Sequence, residues 1–186
     1  MLYITTEGRA GSSLLFQYLN QLGIINVKKL SWGRLIEEDK TAYELLPAQF
    51  IHIMRHDKIQ QAVSRVKHLM HNKKHVRSDT DLSEYIDREK TISDVNFPKE
   101  EIHDRIIRHT FGDRAWELFF ERHGIEALPV YFEDLISDRD ATLIRICDFL
   151  EVGCELSKLS EKLKSTHTDL NDTWAEKTLE ATMLWL

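Results

Sequence analysis

Short apolar, β-branched runs alternate along the chain with longer stretches whose apolar residues recur at helical spacing. Leu2-Tyr3-Ile4-Thr5-Thr6 has strand character, and Gly8-Arg9-Ala10-Gly11 behind it reads as a turn. Over 12–22, Leu14, Leu15, Tyr18, Leu19 and Leu22 form one helical stripe, with Gly23 as a stop. A second short strand fits within 24–30, and 32–46 reads as helix in pieces, ended by Pro47. Phe50-Ile51-His52-Ile53-Met54 is the next strand, after which Asp57 is placed to cap a helix over 58–70. Residues 71–80 are polar, basic and read as loose, and 82–90 as a short helix. Pro98 suits the first turn of a long helix to 123, closed by Gly124. Its predicted apolar face carries Ile102, Ile106, His109, Trp116, Leu118, Phe119 and Phe120. A strand over 128–132 and a helix over 140–150 follow, and the tail from 156 reads as helical with a polar break at 165–172.

Strands alternating with helices predict a parallel sheet covered on both faces, a three-layer α/β sandwich in a single domain over 1–186. Ligands of such sheets sit beyond the carboxyl ends of the strands. The segments to inspect are therefore 6–13, 55–57 and 133–134.

Composition narrows the partners. A chain of 186 residues, 42% hydrophobic and 30% charged, can bury a core without staples. A formal charge of −6 argues against nucleic acid or an anionic membrane as partner, while leaving room for an anion in a local basic pocket. No run approaches the roughly 18 apolar residues of a membrane span, and the opening Met1-Leu2-Tyr3 has no basic leader. Cys147 and Cys154 are too few for a disulfide framework and lack metal-ligand spacing, so they read as reduced thiols, Cys147 in the core. A cytoplasmic protein is expected.

The segment from Thr5 through Gly8, Arg9, Ala10, Gly11, Ser12 and Ser13 to Leu14 has the layout of an anion cradle between strand and helix. The first N–H groups of a helix lack partners in the chain, and the helix dipole is positive there. Glycines let the backbone curl around an oxyanion, Ser12 and Ser13 add hydroxyl donors, and Arg9 adds a charged fork. The loop lacks the lysine of G-x-x-x-x-G-K-[ST], which disfavours a nucleotide kinase or triphosphatase. The plainer alternative is a turn in which Ser12 caps the helix. A second element is Arg55, at a strand's carboxyl end, followed by Ser64 two turns into the next helix; both suit a phosphate. Arg55 has an alternative use in pairing with Asp57 or Asp134.

Together these elements resemble the PAPS-dependent sulfotransferases. Thr6-Glu7-Gly8-Arg9-Ala10-Gly11-Ser12-Ser13-Leu14-Leu15 is similar to their P-R-S-G-S-T-L-L loop, and Arg55 with Ser64 to their 3′-phosphate element. The Gln61-Ala62-Val63-Ser64 form resembles the bacterial trehalose-type sulfotransferases, as do Lys29-Leu30-Ser31-Trp32, the helix at 115–120, Val130-Tyr131-Phe132-Glu133-Asp134-Leu135 and Asn171-Asp172-Thr173-Trp174. The resemblance implies a P-loop-like sulfotransferase fold and in-line transfer of a sulfuryl group from PAPS to a hydroxyl of a carbohydrate or related small molecule. It implies no metal. It places the 5′-phosphosulfate on Arg9, Ala10, Gly11, Ser12 and Ser13, the 3′-phosphate on Arg55 and Ser64, and Lys164 over the cofactor.

Two departures from that pattern bear on turnover. Ala10 stands where a serine is usual, which removes one donor and costs about 1.5–3 kcal/mol at a charged partner. The interval from Gly23 to Arg55 is also much shortened, and the segment that bears the activating glutamate is missing from it. Candidates to replace that base are Glu7, Glu37 and Glu38, with Lys29 as a stabiliser of the leaving oxygen. A catalytically impaired nucleotide-binding protein of the same fold is the alternative, and completion of the site by a second copy of the chain, as a homo-oligomer, is a further option. His68, His71 and His75 share one helical face without a carboxylate or Cys to complete a metal site, so 71–80 reads better as a basic lip for the acceptor.

Overall fold

In chain order the elements are β1 (Leu2–Thr6), α1 (Ser12–Gln21), β2 (Val27–Leu30), α2 (Trp32–Glu37), α3 (Ala42–Leu45), β3 (Gln49–Met54), α4 (Lys58–His71), α5 (Asp79–Glu89), α6 (Lys99–His123), β4 (Ala127–Tyr131), α7 (Phe132–Ser137), α8 (Arg139–Phe149) and α9 (Asp169–Met183). The computed structural model describes residues 1–38, 42–45, 48–71, 79–90, 97–160 and 166–183. They divide into two units, Met1–His56 with His109–Ser160, and Asp57–Arg108 with Glu161–Leu186.

The first unit holds a four-stranded parallel sheet in the order β2-β1-β3-β4. β1 is buried at every position, as a central strand covered on both faces must be, which explains its near-continuous apolar run. The two-residue repeat sorts its side chains. Leu2 and Ile4 join Ile51, Ile53 and Val130 on one face, against Leu15 and Leu19 of α1 and Leu143 and Ile146 of α8. Tyr3 and Phe50 face the other way, with Leu35 of α2 and Trp116 and Phe120 of α6. Phe50 stacks on Tyr3 at 5.6 Å between ring centres and meets Phe120 at 5.5 Å. Each such buried side chain contributes on the order of 1.5–3 kcal/mol, which is what fixes the strand faces and hence the register. The predicted layering and the parallel sheet are present.

The second unit has its own core of Ala62, Val63 and Val66 from α4, Ile102 and Trp174. Asp57 caps α4 as predicted, its Oδ1 accepting from the Gln60 N–H at 2.8 Å.

Three local expectations need correction. The fourth strand ends at Tyr131, and Phe132 opens α7, because Glu133 and Asp134 sit well in the first turn of a helix. Leu118 is 48% exposed instead of belonging to the buried face of α6, since it lies about 200° around the helix from Trp116. α9 begins at Asp169, so the polar break does not extend to 172. Cys147 is buried as expected, and burial pushes its thiol up to about 12. No described helix is long and apolar enough to cross a membrane.

Candidate functional site

The carboxyl end of β1 runs into a loop with two left-handed residues, Arg9 (φ 69°) and Gly11 (φ 85°). Gly11 is the N-cap of α1 and supplies no side chain, so Ser12 is inside the helix and does not cap it. The first helical bond is donated by the Leu15 N–H to the Gly11 carbonyl at 3.0 Å. Among the described residues no backbone carbonyl accepts from the N–H groups of Ser12, Ser13 or Leu14. Positive φ on either side of Ala10 coils the chain in the manner of an anion-binding nest, and the helix dipole adds to it. Only glycine fits at position 11. Besides its φ, an added Cβ would lie 2.5 Å from Phe132 Cδ2.

Neighbouring strands bring cations to this loop. Parallel pairing sets Lys29 beside Ile4, and its Nζ donates to Ser13 Oγ at 3.1 Å. Partial burial, then the positive charge of Arg34, lowers the Lys29 pKa from lysine's ordinary value. On the other side β3 delivers Arg55, whose guanidinium lies over the Phe132 ring, 4.9 Å from its centre. The same ring packs against Gly11, so Phe132 joins the Arg55 tip to the loop. Arg55 Nε is 3.7 Å from Glu133 Oε1, a partner that the sequence reading did not name. Glu133 Oε2 also accepts from the His56 N–H at 3.1 Å, and the His56 ring stacks on Tyr131 at 3.8 Å.

Glu7 has a structural duty. Its Oε1 accepts from the Trp32 N–H at 3.0 Å, and its side chain fills the space that a Cβ on Gly112 would take. Glu37 and Glu38 are exposed at the end of α2. Of the remaining candidates, Ser64 is partly buried on α4 in the second unit. Lys164 and His75 lie outside the described residues, and so does most of the predicted lip. His71 is buried with its ring stacked on Tyr85 at 4.1 Å, and α4 ends there. Among the described residues no group of three or more His, Cys, Asp or Glu is placed to hold a metal.

The structure places Arg9, Lys29, Arg55 and the Gly11–Ser13 turn at or beyond the carboxyl ends of their strands, the region that the sequence singled out for inspection. The Phe132 platform and the Glu7–Gly112 contact were not found from the sequence. Gly112 carried a usable signal, because a glycine inside a helical pattern costs about 1 kcal/mol relative to Ala and often marks close packing.

A family model for the Stf0 sulphotransferases matches residues 28–180, most of the chain. The chain belongs to the Stf0 sulphotransferase family. No curated protein and no solved structure matches it. Within this sulfotransferase the matched segment takes in Lys29, Arg55, Ser64 and Lys164 and begins beyond Glu7, Arg9 and the glycine turn. The loop therefore rests on its own geometry, while the helix-flanked parallel sheet agrees with a sulfotransferase-like fold.

Proposed function

We propose that this sulfotransferase uses PAPS (3′-phosphoadenosine 5′-phosphosulfate) as donor and transfers its sulfuryl group to a hydroxyl of a small-molecule or carbohydrate acceptor. The reading treats 1–186 as one functional domain, as the match across both units supports. The observation that carries it is Phe132, packed against Gly11 and lying under Arg55. That contact supports one anionic ligand gripped by a helix N-terminus and a guanidinium on adjacent strands. Arg9 and the N–H groups from Gly11 to Ser13, with the Ser12 and Ser13 hydroxyls, take the 5′-phosphosulfate. Arg55 takes the 3′-phosphate. For Ser64 and Lys164 the same nucleotide roles rest on the resemblance alone.

In the reaction the bond from sulfur to the acceptor oxygen forms as the bond from sulfur to the 5′-phosphate oxygen breaks, giving adenosine 3′,5′-bisphosphate and a sulfate ester. The acceptor hydroxyl gives its proton to a base. The protein's part is positioning and neutralising charge on the equatorial and leaving oxygens. Lys29, on Ser13, is suited to the leaving oxygen. Glu7 is the base candidate within the loop itself, and its tie to Trp32 would hold the carboxylate in place. No metal enters this scheme, and a cytoplasmic setting with Cys147 and Cys154 reduced belongs to it.

Transfer of labelled sulfate from PAPS to a panel of hydroxylated acceptors tests the reading. Transfer by the wild type, lowered at least 100-fold in Arg9→Ala, is expected. Binding of adenosine 3′,5′-bisphosphate without any transfer favours the second reading, a nucleotide-binding protein that has lost turnover with its shortened acceptor segment. Failure to bind the bisphosphate contradicts both.

A further inference from the structure

Along α6 an acidic chain presents an apolar groove whose ionisable lining is wholly basic. The groove, of about 550 Å³, is lined by Trp32, Phe111, Leu118 and Phe119, with Arg114 and Arg122 among its cations. Its volume is that of a small-molecule site. Phe111 is 65% and Leu118 48% exposed, so large apolar side chains stand in water on one helix face. The chain carries more acidic than basic residues, yet no carboxylate and no side-chain amide lines the groove. Arg114 is bridged to Glu117 at 2.8 Å, whereas Arg122 has no partner among the described residues.

The groove is joined to the loop by two contacts. Trp32 lines it while its N–H is held by Glu7, and its ring stands edge-on to Trp116 at 5.4 Å. Gly112, next to Phe111, receives the side chain of the same Glu7. Glu7 and Trp32 follow the carboxyl ends of β1 and β2, the adjacent strands that also carry the glycine turn and Lys29.

We propose that this groove binds the acceptor, and that the acceptor is a hydroxylated aromatic or alicyclic molecule bearing a carboxylate or phosphate. The inference rests on the donor reading above for the word acceptor, and on the groove alone for the ligand class. The apolar body lies on Trp32, Phe111 and Leu118, and the anion meets Arg122 and Arg114. A neutral sugar gains less here, because the lining side chains offer its hydroxyls cationic donors but no carboxylate or amide acceptor, whereas an anion pairs with those cations directly.

Calorimetry on the full chain with 6-hydroxy-2-naphthoate and with 2-naphthol tests this, each with and without adenosine 3′,5′-bisphosphate. The naphthoate is expected to bind about tenfold more tightly than the naphthol, the margin of one charge-assisted pair. Arg122→Ala, at an exposed position, should remove most of that difference, and Phe111→Ser should weaken both ligands. Equal affinities, no binding of the naphthoate, or an Arg122→Ala protein that binds it as the wild type does would overturn the proposal. So would a wild-type dimer in sedimentation that Phe111→Ser converts to monomer, since a second copy would then cover the groove. The two readings fail separately. Heat from the bisphosphate without heat from the naphthoate removes the groove proposal only, and heat from the naphthoate without heat from the bisphosphate removes the donor reading and the groove's role as acceptor site, leaving the ligand class of the groove standing.

Discussion

At Lys29 an ammonium held against Ser13 Oγ is made less basic by partial burial and then by Arg34. A bound phosphate or sulfate would offset both effects and raise the Lys29 pKa in the complex above its value in the free protein. The affinity for adenosine 3′,5′-bisphosphate should therefore be complete below the free-protein pKa and fall as pH rises through it. Calorimetry across the alkaline range checks this, with Lys29→Gln expected to give weaker binding and a flatter profile. A wild-type profile as flat as that of the variant would remove Lys29 from the site. The positions of Arg9, Lys29 and Arg55 were legible in the sequence because each sits at or just beyond a strand that the apolar runs marked. The duty of Glu7 was not, since it depends on Trp32 and Gly112, 25 and 105 positions away in the chain.

Helix ends show which stops the sequence announces. α1 and α6 both close on a left-handed glycine, Gly23 (φ 82°) and Gly124 (φ 61°). In each case the next N–H returns to the helix, from Ile24 to the Leu19 carbonyl and from Ile125 to the Phe120 carbonyl, both at 2.9 Å. α8 uses the same closure, with Val152 N–H on the Cys147 carbonyl at 3.0 Å, but its left-handed residue is Glu151 (φ 56°). Glu151→Gly should raise stability by about 0.5–1 kcal/mol, the relieved strain less the added freedom of the unfolded glycine. A lower denaturation midpoint would contradict that. The helical period did not mark Lys67, which is fully buried on α4. It pairs with Glu89 of α5 and donates to Thr168 Oγ1 at 2.8 Å and to Asn171 Oδ1, tying three segments of the second unit. Lys67→Met leaves the Glu89 carboxylate buried without its cation and should cost about 3–5 kcal/mol in urea denaturation, most of it recovered in Lys67→Met/Glu89→Leu. A cost below about 1 kcal/mol for the single variant would show the pair to be incidental.

Taken as a whole molecule, the chain is acidic at −6 and yet sets Arg9, Lys29 and Arg55 at the carboxyl end of its sheet. The order β2-β1-β3-β4 does this, because it sets the Lys29 strand and the Arg55 strand on either side of the loop strand. Short apolar runs marked the strands but gave neither their faces nor that order, which depend on packing and long-range pairing; the family resemblance supplied the expectation that these segments meet. The ring of Phe132 between the loop and Arg55 came from a boundary that the apolar run obscured by continuing past Tyr131. The most direct measurement is a calorimetric comparison of adenosine 3′,5′-bisphosphate with ADP on wild type and Arg55→Ala. The wild type should prefer the 3′-phosphorylated ligand by at least about tenfold, and Arg55→Ala should bind the two alike, since a lost charged pair at phosphate is worth roughly 1.5–3 kcal/mol. Equal binding of the two nucleotides by the wild type, or an undiminished preference in Arg55→Ala, would contradict the assignment of Arg55 to a 3′-phosphate.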